Sequence, residues 1–517
     1  MALVTLAIGA CESKREASGV IGSVKGFAGA VASDEPRATL AARDVLTAGG
    51  SAADAAVALY FTLAVTLPSS AGLGGGGICL IHDPHGEKTE ALDFLPRASP
   101  DGAIGTPGNV RGMAALQAKY GRLKWNQLLA QAEDLARGTS VSRALAREMA
   151  TAGGGLLGDS EIRRVWGRPD GGLPVEGDGL QQLDLAGILD QIGRNGAGAF
   201  YVGPLAMRIV QTAQGVRMPL TSDVLRATVP QFRDAVSLAV GDNVAYFTPP
   251  PADGGLVAAQ MLALLTMGRD YAAAADAERP HLFAEAAKRA FIERSRWQQP
   301  DGMSSEAPAD LLSSARVQSL MQDYNPNAAT PLAAAGAVGA EENPWASGFV
   351  VADQDGMTVA CEVTMNRLFG IGRMVPGTGV IPAAAPGSGG FPLGPMIVAK
   401  QDGRAVEFAA AASGGTTATT AEVSVYLDSA LLKQPLNDAL ADKRVHHNGT
   451  PDTVFYETGE SDAVVAGLQQ RGHSVAAAGV LGRVNALWCR DGLPSDPESC
   501  QAGSDPRGNG LALLQSD

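Results

Sequence analysis

NPWASGFVVADQDGMTVACEVTMNRLFG, residues 343–370, decides how the rest of the chain is read. Asp353-Gln354-Asp355-Gly356 divides it into two alternating halves, the pattern of a β-hairpin closed by an Asp-Gly turn. In the second half Val359, Cys361, Val363 and Met365 fall on one face and Ala360, Glu362, Thr364 and Asn366 on the other. That period of two gives a strand one face on a core and one on a cleft. Glu362, Thr364 and Asn366 are therefore expected to line up together.

Outward from the hairpin, residues 325–344 (NPNAATPLAAAGAVGAEENP) form a low-complexity break just before it. Residues 34–66 carry an Ala-rich helical pattern broken at Gly49-Gly50, where one helix should end and another begin with Ser51 as N-cap. Gly72, Gly74 and Gly77 satisfy the GxGxxG formula, but a helix is expected before them and the strand Ile78-Cys79-Leu80-Ile81 after. That order is the reverse of a dinucleotide site, so these glycines are read as letting backbones approach closely.

With 517 residues, 45% hydrophobic and 18% charged, the chain has the composition of a folded globular protein. Its net charge of −14 argues against non-specific binding to nucleic acid or to anionic membranes. Residues 1–11, MALVTLAIGAC, resemble a bacterial lipobox ending at Cys11, though the basic n-region of a signal peptide is missing. This reading places the protein in the bacterial periplasm or cell envelope, lipid-anchored at Cys11, with residues 12–33 as a flexible spacer. The alternative is an apolar N-terminus with no such role. Among the five cysteines, Cys489 and Cys500 bracket a short loop and form a candidate disulfide, two free thiols being the alternative. Cys79 and Cys361 read as buried small hydrophobes. Six histidines, none in ligand-like spacing with cysteine, give no metal site, and His446-His447 reads as a surface pair.

The hairpin resembles the start of the small subunit in the γ-glutamyltranspeptidase family. The resemblance continues through Gly49-Gly50 to Gly77, Thr106 to Gly112, residues 185–206, Pro249-Pro250-Pro251, HLFAEAAKRAFIERSRW at 281–297, Ser413-Gly414-Gly415 and Asp505-Pro506-Arg507. It implies an α+β fold, the αββα sandwich of N-terminal-nucleophile hydrolases, with two stacked antiparallel sheets between helical layers. Residues 34–345 would correspond to the large subunit and 346–517 to the small one, together forming one domain. No cofactor is implied.

In that family a threonine at the hairpin's start is freed by self-cleavage, its α-amine serving as base for its own hydroxyl. The matching position here is Ala346, which has no attacking atom. Thr364 matches the threonine that assists the nucleophile, Asn366 the asparagine that helps hold the glutamyl end, and Gly414 and Gly415 the oxyanion-hole glycines. Thr364 and Asn366 read equally well as hydrogen-bonding structure on a strand. The family's polar substrate-binding segments are represented by Ile381-Pro382-Ala383-Ala384-Ala385-Pro386-Gly387-Ser388 and Pro392-Leu393-Gly394-Pro395-Met396, and its substrate arginine by Leu95. Arg97 and Glu362 remain as charged candidates for the cleft.

The resemblance thus implies an exported homologue with impaired γ-glutamyl transfer and glutathione hydrolysis. Two alternatives stand beside it: a non-enzymatic protein that binds a small molecule or peptide in the cleft, and an acylase of altered specificity using Ser347. Against Ser347, a one-residue slip along a strand turns the side chain to the opposite face.

Overall fold

The computed structural model describes residues 26–331, 346–387 and 390–515. Cys11 and the stretch 332–345 between the two parts lie outside the described residues.

The hairpin forms as its pattern requires. Ala346–Asp353 pairs with Thr358–Thr364 from Thr358 opposite Ala352 to Thr364 opposite Ala346. Gly356 takes the left-handed conformation (φ +87°) that the tight turn demands. The Asp353 carboxylate accepts from the N–H groups of Asp355 (3.0 Å) and Met357 (3.1 Å), and also from Ala52 (2.9 Å) at the start of helix Ala52–Thr66. One side chain therefore closes the turn and caps a helix.

Around this hairpin runs a seven-stranded sheet in the order Leu511–Gln515, Gly29–Ser33, Ala346–Asp353, Thr358–Thr364, Gly76–Asp83, Lys88–Phe94, Gln231–Asp234, antiparallel throughout. A second, six-stranded antiparallel sheet runs Cys500–Ser504, Arg483–Leu493, Val406–Ser413, Met396–Lys400, Asn243–Phe247, Val236–Val240. Both sheets draw strands from either side of residue 345. Gly29–Ser33 is paired on both edges, so the spacer reading of 12–33 is corrected: its last five residues are a core strand.

Both hairpin strands are buried along their whole length, because each face has its own layer. Phe349, Val351, Val359, Cys361 and Val363 pack against helices Ala52–Thr66, Trp125–Arg137 and Leu183–Asn195. Val350, Ala352 and Ala360 meet Ile397, Ala409 and Ala411 of the second sheet. The second sheet's other face packs on Asp253–Ala263, Arg279–Trp297 and Thr416–Tyr426. The four layers are the αββα sandwich. Small residues set the distance between sheets: a Cβ on Gly348 would lie 2.7 Å from the Ala411 backbone.

Ser51 caps Ala52–Thr66 in a reciprocal box with Asp54. The glycine run lies between Pro68–Ala71 and Gly76–Asp83, and a Cβ on Gly74 would sit 2.1 Å from the Ile381 carbonyl oxygen. These glycines seat backbone against backbone.

One cysteine reading changes and one holds. Cys79 and Cys361 face each other on neighbouring strands and are joined as a disulfide, so they are buried but not free. Cys489 and Cys500 are joined as well. His446 and His447 are fully buried, His446 against Thr420 and His447 against Asp452, and do not form a surface pair.

The Cys79–Cys361 bond closes a sequence separation of 282 residues. Its removal in a Cys79→Ala, Cys361→Ala double variant is expected to cost about 2–5 kcal/mol in urea unfolding. An unchanged midpoint would show that the bond contributes nothing to stability.

Candidate functional site

At the open end of the hairpin, Ala346 and Thr364 lie opposite each other and line a cavity of about 200 Å³ together with Asn366 and Gly415. Thr364 Oγ1 accepts from the Asn366 N–H (2.9 Å). Asn366 is in the left-handed region (φ +60°), and its Nδ2 donates to the carbonyls of Pro96 (3.0 Å) and Ala384 (2.8 Å). The side chain at this position thus ties two loops to the cleft wall. Gly414 and Gly415 have φ of +138° and +64°, and Gly415 precedes helix Thr416–Tyr426, which has no side-chain cap. A helix start with uncapped N–H groups favours negative charge, as an oxyanion site requires.

The remaining wall is Pro386, Gly387, Gly390, Phe391, Pro392 and Leu393. None of the described lining residues carries a charge. Leu95 packs in the same apolar cluster as Ala346, Phe391 and Leu393.

The structure separates the other expected site residues from this cavity. Ser347 is fully buried on the opposite face, its Oγ donating to Asp34 Oδ2 (3.1 Å). Asp34 also accepts from the Gly348 N–H (3.1 Å) and Asn485 Nδ2 (2.8 Å), and burial holds its pKa up against the pull of Arg483. Nearby Glu148, bonded to the Ser69 hydroxyl, is pushed by burial up to about 7. Ser347 therefore belongs to a polar knot behind the strand. Arg97 is engaged by Asp93 through two hydrogen bonds (3.1 and 2.7 Å), and Asp93 also takes Arg233 (2.9 Å).

Glu362 shares the inward face with Thr364 but is buried, accepting from the N–H groups of Gly394 (2.8 Å) and Ala412 (2.8 Å). Its third partner is Glu422, on helix Thr416–Tyr426. Burial raises both acids, and the carboxylate of Glu362 raises Glu422 further, so Glu422 stays protonated and donates to it. The pair fixes the loop at Gly394 that carries Phe391 and Leu393. Glu422 was invisible in the sequence, since a lone Glu in an apolar helix gives no sign of its partner.

Among the described residues one group is dense enough for a metal ion: His281, Glu285 and His473. Their donor atoms are already spent. His281 Nδ1 and His473 Nε2 share a hydrogen bond (2.7 Å), His281 Nε2 meets the Asn325 carbonyl (2.9 Å), and Glu285 takes Arg289 and the Thr330 N–H. With Lys288 bonded to the Thr330 carbonyl (2.8 Å), the network pins residues 325–330 just before the stretch 332–345. The i, i+4 spacing of His281 and Glu285 was the available signal.

The family model described as Gamma-glutamyltranspeptidase matches residues 38–102, 95–383 and 392–514. The glutathione hydrolase proenzyme of Escherichia coli (strain K12) is 30% identical over 90% of this chain and 88% of its own. Among solved structures, cephalosporin acylase from Bacillus halodurans superposes with a TM-score of 0.79, covering 99% of this chain and 100% of its own at 22% identity. The Helicobacter pylori gamma-glutamyltranspeptidase superposes with a TM-score of 0.54 at 29% identity, covering 60% of this chain and 95% of its own.

The carboxyl pair has a measurable signature. Both acids are held above their unfolded value of about 4.3, so the folded state keeps protons that the unfolded state releases, and stability falls as pH rises from there through about 7. Glu422→Gln keeps the donor and removes Glu422's share of this titration, leaving that of Glu362. It is expected to raise the unfolding midpoint at about pH 8 by more than at about pH 5, by on the order of 1 kcal/mol; an equal shift at both would contradict the assignment.

Proposed function

The chain belongs to the gamma-glutamyltranspeptidase family, and on that premise we propose that it is an exported member without γ-glutamyl transferase or glutathione hydrolase activity, whose cleft binds an uncharged, largely apolar ligand. The observation that carries this reading is Ala346, at the start of the strand and opposite Thr364, where the family's mechanism needs a hydroxyl. An alanine methyl neither attacks the preceding carbonyl nor forms an acyl-enzyme.

Ligand chemistry follows from the lining. A glutamyl group brings an ammonium and a carboxylate, and burying them unpaired against Phe391, Pro392 and Leu393 costs several kcal/mol. A neutral acyl or aryl group meets no such penalty. Ser347 is not assigned as a substitute nucleophile, since it lies behind the strand with its hydroxyl engaged by Asp34. Export and lipid anchoring at Cys11 rest on the lipobox-like start, and two disulfides are chemistry suited to an oxidising compartment.

Purified protein is expected to run as one full-length chain by intact mass, with no new N-terminus at Ala346 or Ser347. Release of product from glutathione or a γ-glutamyl anilide is expected to be negligible. Turnover within about tenfold of a typical enzyme's roughly 10 per second would overturn the proposal.

Ala346→Thr returns a hydroxyl to the cavity beside Thr364 and Gly415, so partial self-cleavage is expected. Glutathione turnover should stay about 10³-fold or more below that of an active relative in kcat/KM, because the described lining still offers no charge partner. Full activity in this variant would show that charges outside the described lining bind the substrate.

A further inference from the structure

A second cavity, of about 470 Å³, opens in the helical layer over the six-stranded sheet. Tyr271, Pro280 and Phe283 form one wall; Ser424, Asp428 and Asp442 form the other. The Ala346 cleft uses none of these residues.

Both walls are built from interrupted helices. Leu264–Gly268, just before Tyr271, and Leu427–Leu431, which contains Asp428, each wind as a π-helical turn closed by an i to i+5 bond: Arg269 N–H to the Leu264 carbonyl (3.0 Å) and Leu432 N–H to the Leu427 carbonyl (2.8 Å). Such turns cost regular hydrogen bonding and are frequent at functional sites.

The polar groups here lack counterparts. Tyr271 is 8% exposed, and its hydroxyl has no hydrogen-bond partner among the described residues. Asp428 accepts only a long bond from Ser424 Oγ (3.3 Å) and makes no ion pair among the described residues. The two nearby arginines are engaged elsewhere: Arg444 with Asp505 (2.6 Å), and Arg279 with Asp276 (2.8 Å) and the Tyr271 carbonyl (3.2 Å). Asp442 adds a second carboxylate, held by Gln434 (2.8 Å), and Glu460 and Lys443 complete the charged lining. Three acids against one lysine leave the cavity negative.

A negative cavity with an aromatic and proline wall selects an organic cation over a bare metal ion, which would need several oxygens closing on one point. We propose that this cavity binds a small organic ammonium ion, with its charge against Asp428 and Asp442, its carbon body against Tyr271, Pro280 and Phe283, and the Tyr271 hydroxyl accepting a hydrogen bond from one of its N–H groups. The site stands apart from the Ala346 cleft and does not depend on whether that cleft is active.

Proton linkage follows from the groups facing Asp428, namely Asp442, Arg444, Arg279 and Tyr271, with Lys443 and Glu460 in the same lining. Burial first, and Asp442 second, hold Asp428 up at about 7. A bound cation favours the ionised form, so affinity should rise with pH across that value.

Calorimetric titration of the full-length protein with benzylammonium chloride, with benzyl alcohol as the neutral isostere, tests this. Benzylammonium should bind saturably and more tightly at about pH 8 than at about pH 5, and benzyl alcohol should not bind. Asp428→Asn should weaken binding by about tenfold or more, Tyr271→Phe by a smaller factor, and Lys443→Ala should strengthen it by removing the competing ammonium. Unfolding midpoints of the unliganded variants establish that each is folded. Equal binding of the alcohol, full affinity in folded Asp428→Asn, or no binding of benzylammonium to the wild-type protein would each overturn the proposal. Should Asp428→Asn fail to fold, Tyr271→Phe and the pH dependence decide.

Discussion

The strand Ala346–Asp353 is buried on both faces, and successive side chains must leave it in opposite directions. That constraint assigns each residue to one of two interiors. Phe349 and Val351 go to the helices, Val350 and Ala352 to the second sheet. It also fixes the chemistry at the strand's end: Ala346 reaches the cavity and Ser347 reaches Asp34. Because the neighbouring strand is in register, Thr364 is carried to the same cavity and Cys361 to the helix side, where it meets Cys79. A slip of one residue would exchange the two faces and place Phe349 between sheets that alanines hold close.

Electrostatics separates the cleft from its surroundings. Acids are plentiful around it, but each is committed: Glu362 to two backbone N–H groups and Glu422, Asp34 to Ser347 and Asn485, Asp93 to Arg97 and Arg233. These carboxylates organise loops and strands, and none of the described cavity lining presents charge. A buried carboxylate with several donors stabilises the groups it gathers, but its remaining capacity for a ligand is small.

Much of this architecture was legible in the sequence, for local reasons. The hairpin's period of two, the Asp-Gly turn, the Ser51 cap and the reversed order around the glycine run depend on neighbours within a few residues. The placement of Thr364, Asn366 and Gly415 around Ala346 followed from a resemblance spanning most of the chain. Long-range pairings were not legible. Glu362 read as a cleft residue because its face was right, but a face does not reveal depth, and the loop at Gly394 covers it. Cys79 and Cys361 read as hydrophobes because each sits in an apolar strand and only strand order makes them neighbours. Arg97 lay near the expected place, but its partner four residues back took the guanidinium.

On the proposed reading, a methyl in place of a hydroxyl at Ala346 changes the requirements on the groups around it. In a chain cut before this strand, the first residue carries an α-ammonium, and the cleft must tolerate a charge and a proton in transit. In a chain that continues through Trp345 to Ala346, that group is an amide, and no charge enters from the protein side. Apolar residues such as Leu95, Phe391 and Leu393 then fit the cleft without isolating a charge. On the proposed reading, a methyl at position 346 leaves the peptide bond ahead of the strand whole, and a described lining without ionic partners suits a cleft that no α-ammonium enters.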